Sequence, residues 1–323
     1  MKRVVVTEYG GPEVVEIQDA PEPEPGQGEV LVRVQAAGLN YADIMQREGY
    51  YLGGPKPPFG AGFEIAGTIE GIGEGVTEWR EGDGVMGFCS NGFSELVTVP
   101  AANLLPKPDQ VDFAQAAAIP VQYFTAYHAL CTLANVRAGQ VVLIHAAAGG
   151  LGTMLVQIAK LRNAVVIGTA SSDEKCALIH ELGCDYPINY GKTDFEAEVG
   201  SITGNGGCDL IVESVGGEVF DKSMRCMKTR GVMIVLGIAS GQVRHVDTSH
   251  MLFHNLTVAG FHLMAYTQDK EAMEAGCADL HAWLGSGGLK VIVGHTFPFE
   301  QTAEAQKQMA ARQTSGKVVL TPA

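Results

Sequence analysis

Basic residues are scarce in this chain: 22 Lys and Arg stand against 36 Asp and Glu, a formal net charge of −14 at neutral pH. Nucleic acid is bound by clustered Lys and Arg, so this balance argues against it as a partner. Long apolar runs are missing too. None approaches the 18 residues expected of a transmembrane helix, and no membrane insertion is expected. The opening MKRVVVTEYGGPE lacks the apolar core and small-residue cleavage site of a secretory signal, which makes a cytoplasmic protein the expectation. The seven cysteines (Cys89, Cys131, Cys176, Cys184, Cys208, Cys226, Cys277) are scattered, odd in number and never in CxxC spacing. That excludes a disulfide framework and a zinc knuckle, and leaves them as small buried hydrophobes. Internal repeats and low-complexity tracts are absent as well.

What is present is an ordinary folding composition, 46% hydrophobic and 18% charged over 323 residues, long enough for two domains. The first 105 residues alternate short strand-like runs with Gly-Gly, Pro-Glu-Pro and Gly-Asp turns, as an antiparallel β domain does. A polar, helix-compatible stretch at Asn40–Arg47 leads into GYYLGGPKPPFGAG, a long Gly/Pro loop of the kind that is more often functional than accidental. From about Val121 the pattern changes. Val141–Ile144, Ala164–Thr169, Leu210–Glu213 and Val232–Leu236 read as four apolar strands, separated by helical segments. This alternation is that of an α/β doubly wound parallel sheet. The tail returns to the first domain in this reading, giving 1–122 with 267–323 for one domain and 123–266 for the other.

The segment Gly139–Lys160, GQVVLIHAAAGGLGTMLVQIAK, reads as a buried strand, a turn of small residues and a helix. Such a unit aims unpaired backbone N–H groups and a positive helix end at one spot, where a pyrophosphate fits without a charged side chain. The binding turn runs through Ala147, Gly149, Gly150, Leu151 and Gly152, with alanine in place of the first fingerprint glycine. Folds that prefer NAD carry Asp or Glu about 20 residues further on, to accept from the ribose 2′-OH. Here the second strand runs into Ala170, Ser171 and Ser172. Lys175 follows in the next helical turn, while Asp173 and Glu174 suit the helix dipole. NADPH is therefore expected in preference to NADH.

The whole chain resembles the medium-chain dehydrogenase/reductase superfamily, in its zinc-free quinone oxidoreductase branch. The spacing GQxxLxxxAAGGxGxxxxQxxK, the segment AAGLNYADIMQREGYY (Ala36–Tyr51), AAAIPVQYFTAYHAL (Ala116–Leu130) and the ending SGKVVL carry that resemblance. It implies a GroES-like antiparallel β domain joined to a Rossmann domain, with NADPH in the cleft between them. It also implies a homodimer made through Rossmann-edge strands near Leu256–Phe261. By the same resemblance, Asn40, Tyr41 and Tyr51 match substrate-side positions, and Ser171, Lys175 and Tyr190 match the 2′-phosphate pocket. Segments including Ser214 and Val215, Gly237, and Phe261, His262 and Leu263 match the frame of the nicotinamide ribose and ring.

The alcohol dehydrogenases of this superfamily hold zinc at positions that align here with Asn40, Phe63 and Val121. Phe and Val cannot ligate a metal and Asn is a poor zinc ligand, so no metal is expected. Glu64, beside the lost histidine position, reads as structural. Without a Lewis acid, alcohol oxidation loses its usual help, whereas quinones and conjugated enones accept hydride through their own electron-poor π systems. The leading expectation is an NADPH:quinone reductase whose acceptor meets Asn40, Tyr41, Tyr51 and Gln122. Tyr51 or Asn40 would donate a hydrogen bond to the developing oxyanion, with Tyr50 as a rival donor. A reductase of activated C=C bonds (2-alkenals, enones, enoyl thioesters) and a non-catalytic NADPH-binding protein are the alternatives.

Overall fold

The chain leaves its first folding unit and later returns to it. The computed structural model describes residues 1–322, and the two units divide after Gln122 and again after Lys290. In the first unit, β1 (Lys2–Val6), β2 (Val15–Asp19) and, further on, β4 (Phe59–Gly60) form a small sheet in the order β2-β1-β4. The larger sheet is built on β3 (Glu29–Leu39), which pairs antiparallel with β5 (Glu64–Ile72) and with β7 (Leu96–Pro100). β6 (Gly84–Phe88) pairs with β5, and β8 (Leu104–Pro106) with β6. Val30, Val32 and Val34 alternate along β3 and meet Ile65, Ile69, Val97 and Val99 in one core. Helix α1 (Tyr41–Glu48) starts at the very end of β3, so its N-cap, Asn40, sits where strand becomes helix. A short α2 (Phe113–Ala116) precedes α3 (Pro120–Tyr127), whose first turn carries Gln122.

In the second unit, strands and helices alternate: β9 (Val141–Ile144), α4 (Gly150–Leu161), β10 (Val165–Ala170), α5 (Asp173–Glu181), β11 (Tyr186–Asn189), α6 (Phe195–Thr203), β12 (Cys208–Glu213), α7 (Gly217–Cys226), β13 (Met227–Val235), α8 (Thr248–His254), β14 (Thr257–Gly260) and α9 (Lys270–Gly285). The strands are all parallel, in the order β11-β10-β9-β12-β13-β14. This is the 3-2-1-4-5-6 order of a dinucleotide-binding sheet, with its switch point between β9 and β12. Four strands are legible as apolar runs; β11 and β14 are not. Both are edge strands, half-solvated and short, and β11 accommodates Pro187 because an edge has one side that needs no donor.

The segment 267–290, expected in the first unit, packs with the second. Tyr123 donates its hydroxyl to the carbonyl of Gly276 (2.9 Å), and Tyr127 donates to Asp279 (3.1 Å), which ties α9 to α3. Gln157 of α4 bonds both backbone groups of Lys290, at 2.8 and 3.0 Å. Apolar periodicity alone could not say which sheet this helix covers. Beyond Lys290 the chain forms β15 (Val293–Pro298), α10 (Thr302–Ala310) and β16 (Lys317–Thr321). β16 runs parallel to β15 and antiparallel to β3, with Val318 opposite Leu39. That register brings Lys317 level with Asn40. No helix among the described residues is long and apolar enough to cross a membrane.

Candidate active site

Asn40 is the centre of a buried polar cluster in the first unit. Its Nδ2 donates to Oε1 of Glu64 (2.8 Å) and to the carbonyl of Gly38 (3.2 Å). Its Oδ1 accepts from Nε2 of Gln122 (2.6 Å) and from Nζ of Lys317 (2.8 Å). Asn40 thus fills two donor and two acceptor positions within the protein, and it holds Gln122 in place as its neighbour. The expected hydrogen bond from Asn40 to the developing oxyanion competes with this geometry, since both Nδ2 hydrogens are already engaged. With its Nε2 on Asn40, the other polar group of the Gln122 side chain is the oxygen Oε1.

Glu64 and Lys317 form a buried ion pair at 2.6 Å, exposed by 0% and 3%. The other carboxylate oxygen of Glu64 accepts from the backbone N–H of Val121 at 2.8 Å. Burial pulls the Lys317 ammonium below the ordinary lysine range, and the neighbouring Glu64 carboxylate opposes that pull. The three positions that align with zinc ligands are Asn40, saturated as described, Phe63, whose ring lies 5.7 Å from that of Tyr51, and Val121, which contributes only its amide. The carboxylate beside them already has a cation, the ammonium of Lys317.

Tyr51 and Tyr41 line the same unit, each half-buried, with Tyr51 in the Gly/Pro loop that follows α1. The hydroxyls of Tyr41 and Tyr50 are hydrogen-bonded to each other. Burial raises the Tyr51 hydroxyl above its ordinary pKa, and the charge of Asp43 adds to the rise. Asp43 itself is fully buried. One of its oxygens accepts from the Asn40 backbone N–H (2.8 Å) and the other has no partner. Burial pushes this carboxyl up to about 7, against the lowering effect of the Asn40 N–H and Lys317.

The cofactor residues expected from the sequence all lie on the loops and first helical turns that follow the carboxyl ends of the six parallel strands. Ala147 and Gly149–Gly152 follow β9, Ser171, Ser172 and Lys175 follow β10, and Tyr190 follows β11. Ser214 and Val215 follow β12, Gly237 follows β13, and Phe261, His262 and Leu263 follow β14. This is the edge of an open parallel sheet where ligands bind. A Cβ at Gly152 would lie 2.3 Å from the Ala146 carbonyl oxygen, so only glycine allows the turn to fold back on the helix. Helix α4, whose N-cap is Gly149, has no side chain capping its first N–H groups, whereas Ser172, Asp194, Asp247 and Asp269 cap α5, α6, α8 and α9. Uncapped donors at a glycine turn on the switch point fit the pyrophosphate of a dinucleotide. In the loop after β10, Asp173 is met by Lys192 and by Nδ2 of Asn189 (2.7 Å), so its charge is already compensated. Glu213, at the end of β12, accepts the N–H groups of Val215 (2.7 Å) and Gly216 (2.9 Å) on one oxygen and has no partner on the other.

Three residues of these sites were not found from sequence: Lys317, Asp43 and Glu213. Lys317 had a readable signal, a lone cation opening the apolar strand KVVLT, which in a buried strand demands a counterion.

Comparison with known proteins follows this division. The family described as alcohol dehydrogenase GroES-like domain matches residues 26–109, within the first unit. The family described as zinc-binding dehydrogenase matches residues 150–278, within the second, and so includes none of Asn40, Phe63 and Val121. The chain is 35% identical to the synaptic vesicle membrane protein VAT-1 homolog of Rattus norvegicus, over 100% of this chain and 84% of that one. It is 35% identical to a quinone oxidoreductase of Pseudomonas aeruginosa over 99% of each. The structure of Escherichia coli quinone oxidoreductase complexed with NADPH superposes with a TM-score of 0.95 at 29% identity, covering 100% of both chains.

Proposed function

The chain belongs to the quinone oxidoreductase branch of the medium-chain dehydrogenase/reductase superfamily, and we propose a zinc-independent course for its reaction, the NADPH-dependent reduction of a quinone. NADPH, when bound, supplies the hydride. The chain's own residues bind, orient and provide a proton. The first N–H groups of α4, from Gly150 to Gly152, hold the pyrophosphate, and Ser171, Lys175 and Tyr190 hold the 2′-phosphate. The loops through Ser214, Val215, Gly237 and Phe261–Leu263 frame the nicotinamide end. Tyr41, Tyr51 and Gln122 bind the acceptor, and the Tyr51 hydroxyl donates to the oxygen that gains charge.

The observation that carries the cofactor choice is the loop after β10. It offers two serine hydroxyls and a lysine, and its one nearby aspartate is paired with Lys192. Zinc independence rests on the donor set: Phe and Val side chains have no lone pair to give, and Glu64 is committed to Lys317. The same reading makes the protein a cytoplasmic homodimer. Its support is that β14 ends the parallel sheet while Leu252 and Phe253, just before it on α8, are 72% and 79% exposed.

The test is turnover of NADPH and of NADH against an ortho-quinone, a simple quinone and a 2-alkenal. Quinone reduction with a preference for NADPH is expected. Reduction of the 2-alkenal alone would make the protein a C=C reductase, and tight NADPH binding with no turnover would make it a non-catalytic binder.

A further inference from the structure

Lys317 is almost fully buried, and its ammonium meets two polar side chains, Asn40 at 2.8 Å and Glu64 at 2.6 Å. An ammonium can only donate hydrogen bonds. The group it meets at 2.8 Å on Asn40 must therefore be the amide oxygen, which leaves Nδ2 directed at two acceptors, Glu64 Oε1 and the Gly38 carbonyl. Because the Asn40 oxygen faces Gln122, the group Gln122 offers at 2.6 Å must be its Nε2. Amide direction, ordinarily ambiguous, is settled here by a chain of single-valued partners.

We propose that Lys317 is a positioning residue for acceptor reduction: through Asn40 it fixes the direction of the Gln122 amide, so that Gln122 presents Oε1 as an acceptor to the bound substrate. This rests on the quinone-reductase reading above. The chemistry it selects is specific. A quinone carbonyl has no hydrogen to give to Oε1, but the hydroxyl that replaces it on reduction does. The contact therefore forms only as that oxygen takes up its proton, so Gln122 acts on the protonation that completes the reduction, after the Tyr51 hydroxyl has met the developing oxyanion. Glu64 is the counter-charge that makes a buried ammonium tolerable at this position.

The experiment is a double-mutant cycle on the full-length protein, with kcat, KM for NADPH and Tm recorded for each variant. Lys317→Met alone leaves Glu64 buried and unpaired, so the decisive change is Lys317→Met combined with Glu64→Gln, which removes both charges. The expected result is a Tm within about 3 °C of the wild type, a kcat lower by about tenfold and a KM for NADPH within about twofold. In a Gln122→Met background the same double change should cost no further kcat. Wild-type kcat in the charge-free variant, or losses that multiply with Gln122→Met, would reduce Lys317 to a purely structural residue and overturn the proposal. Should the charge-free variant not fold, Gln122→Met decides by itself: a kcat within about twofold of wild type at unchanged Tm overturns the proposal. The cycle is read with whichever acceptor the wild type reduces, so a failure of the quinone reading appears in the wild type and a failure of this inference appears only in the ratios. A readout independent of turnover is the exchange of the Asn40 and Gln122 side-chain amide hydrogens, slow in the wild type and fast once Lys317 and Glu64 are neutralised. Equal exchange in both proteins would also overturn the proposal.

Discussion

The ammonium of Lys317 lies 2.8 Å from the amide oxygen of Asn40, a residue 277 positions earlier in the chain. The contact depends on β16 reaching β3 in one register and on β3 passing close to Glu64. Gly38 permits that passage. A Cβ there would lie 2.5 Å from both the Ala117 carbonyl oxygen and Glu64 Oε1. Gly38→Ala should therefore push Glu64 off Lys317, lowering stability by about 1–3 kcal/mol and quinone turnover with it. Chemical denaturation with a parallel activity assay checks this, and unchanged values in both would mean that the strand shifts freely.

Tyr51 is half-buried against Phe63, and its hydroxyl is held in the protonated form by burial and by the nearby Asp43 charge. Tyr51→Phe keeps the ring contact and removes the proton. Quinone-dependent kcat should fall by about 10²-fold, with little change in Tm. A rate within about twofold of wild type would leave Tyr51 as a hydrophobic wall.

For the cofactor, Lys175 is the discriminating charge. Lys175→Ala should raise KM for NADPH by about tenfold or more, since a charge-assisted contact to phosphate is lost, and leave KM for NADH nearly unchanged. Steady-state kinetics with both cofactors measures it. Equal effects on the two would place the 2′-phosphate elsewhere.

Opposite pH responses are expected in the two units. The Asp43 carboxyl, held up to about 7 from an ordinary 3.8, keeps in the native state a proton that the unfolded chain releases. Its contribution is complete below pH 3.8 and is lost as pH rises through about 7, to the extent of about 4 kcal/mol. His145, fully buried between Thr169 and Ser223, is pushed down to about 4 from 6.5 by burial. The unfolded chain takes up a proton there that the native state refuses. Stability from His145 is full above pH 6.5 and is lost as pH falls toward 4. Hydrogen exchange should then show strand β9 losing protection on going from pH 7 to pH 5 while α1 gains it. Asp43→Asn should abolish the second trend and spare the first; identical trends in the variant would assign the effect to other groups.

How much of this was legible in the sequence depends on the range of the interactions involved. The glycine turn at Gly149–Gly152 and the four central strands are local patterns and could be read directly. The edge strands β11 and β14 could not, because half-solvated strands need no apolar run. The placement of α9 followed from Tyr123 and Gly276, which are 153 positions apart. The polar cluster was legible only in part. Asn40 and Gln122 read as site residues from the sequence, but their orientation belongs to Lys317, whose contribution appears only once the register of β16 is known. Glu64 reads as structural from its lack of ligand neighbours, while the identity of its partner requires the fold.

The register of β16 also has a bearing on synthesis. Asn40, Glu64 and Gln122 are all made before the first residue of β9, and Lys317 only after the whole of the second unit. The second unit is one unbroken stretch of chain, and domains fold as units while they emerge. A nascent chain can therefore complete its nucleotide-binding sheet while the buried carboxylate of the acceptor site still waits for its cation.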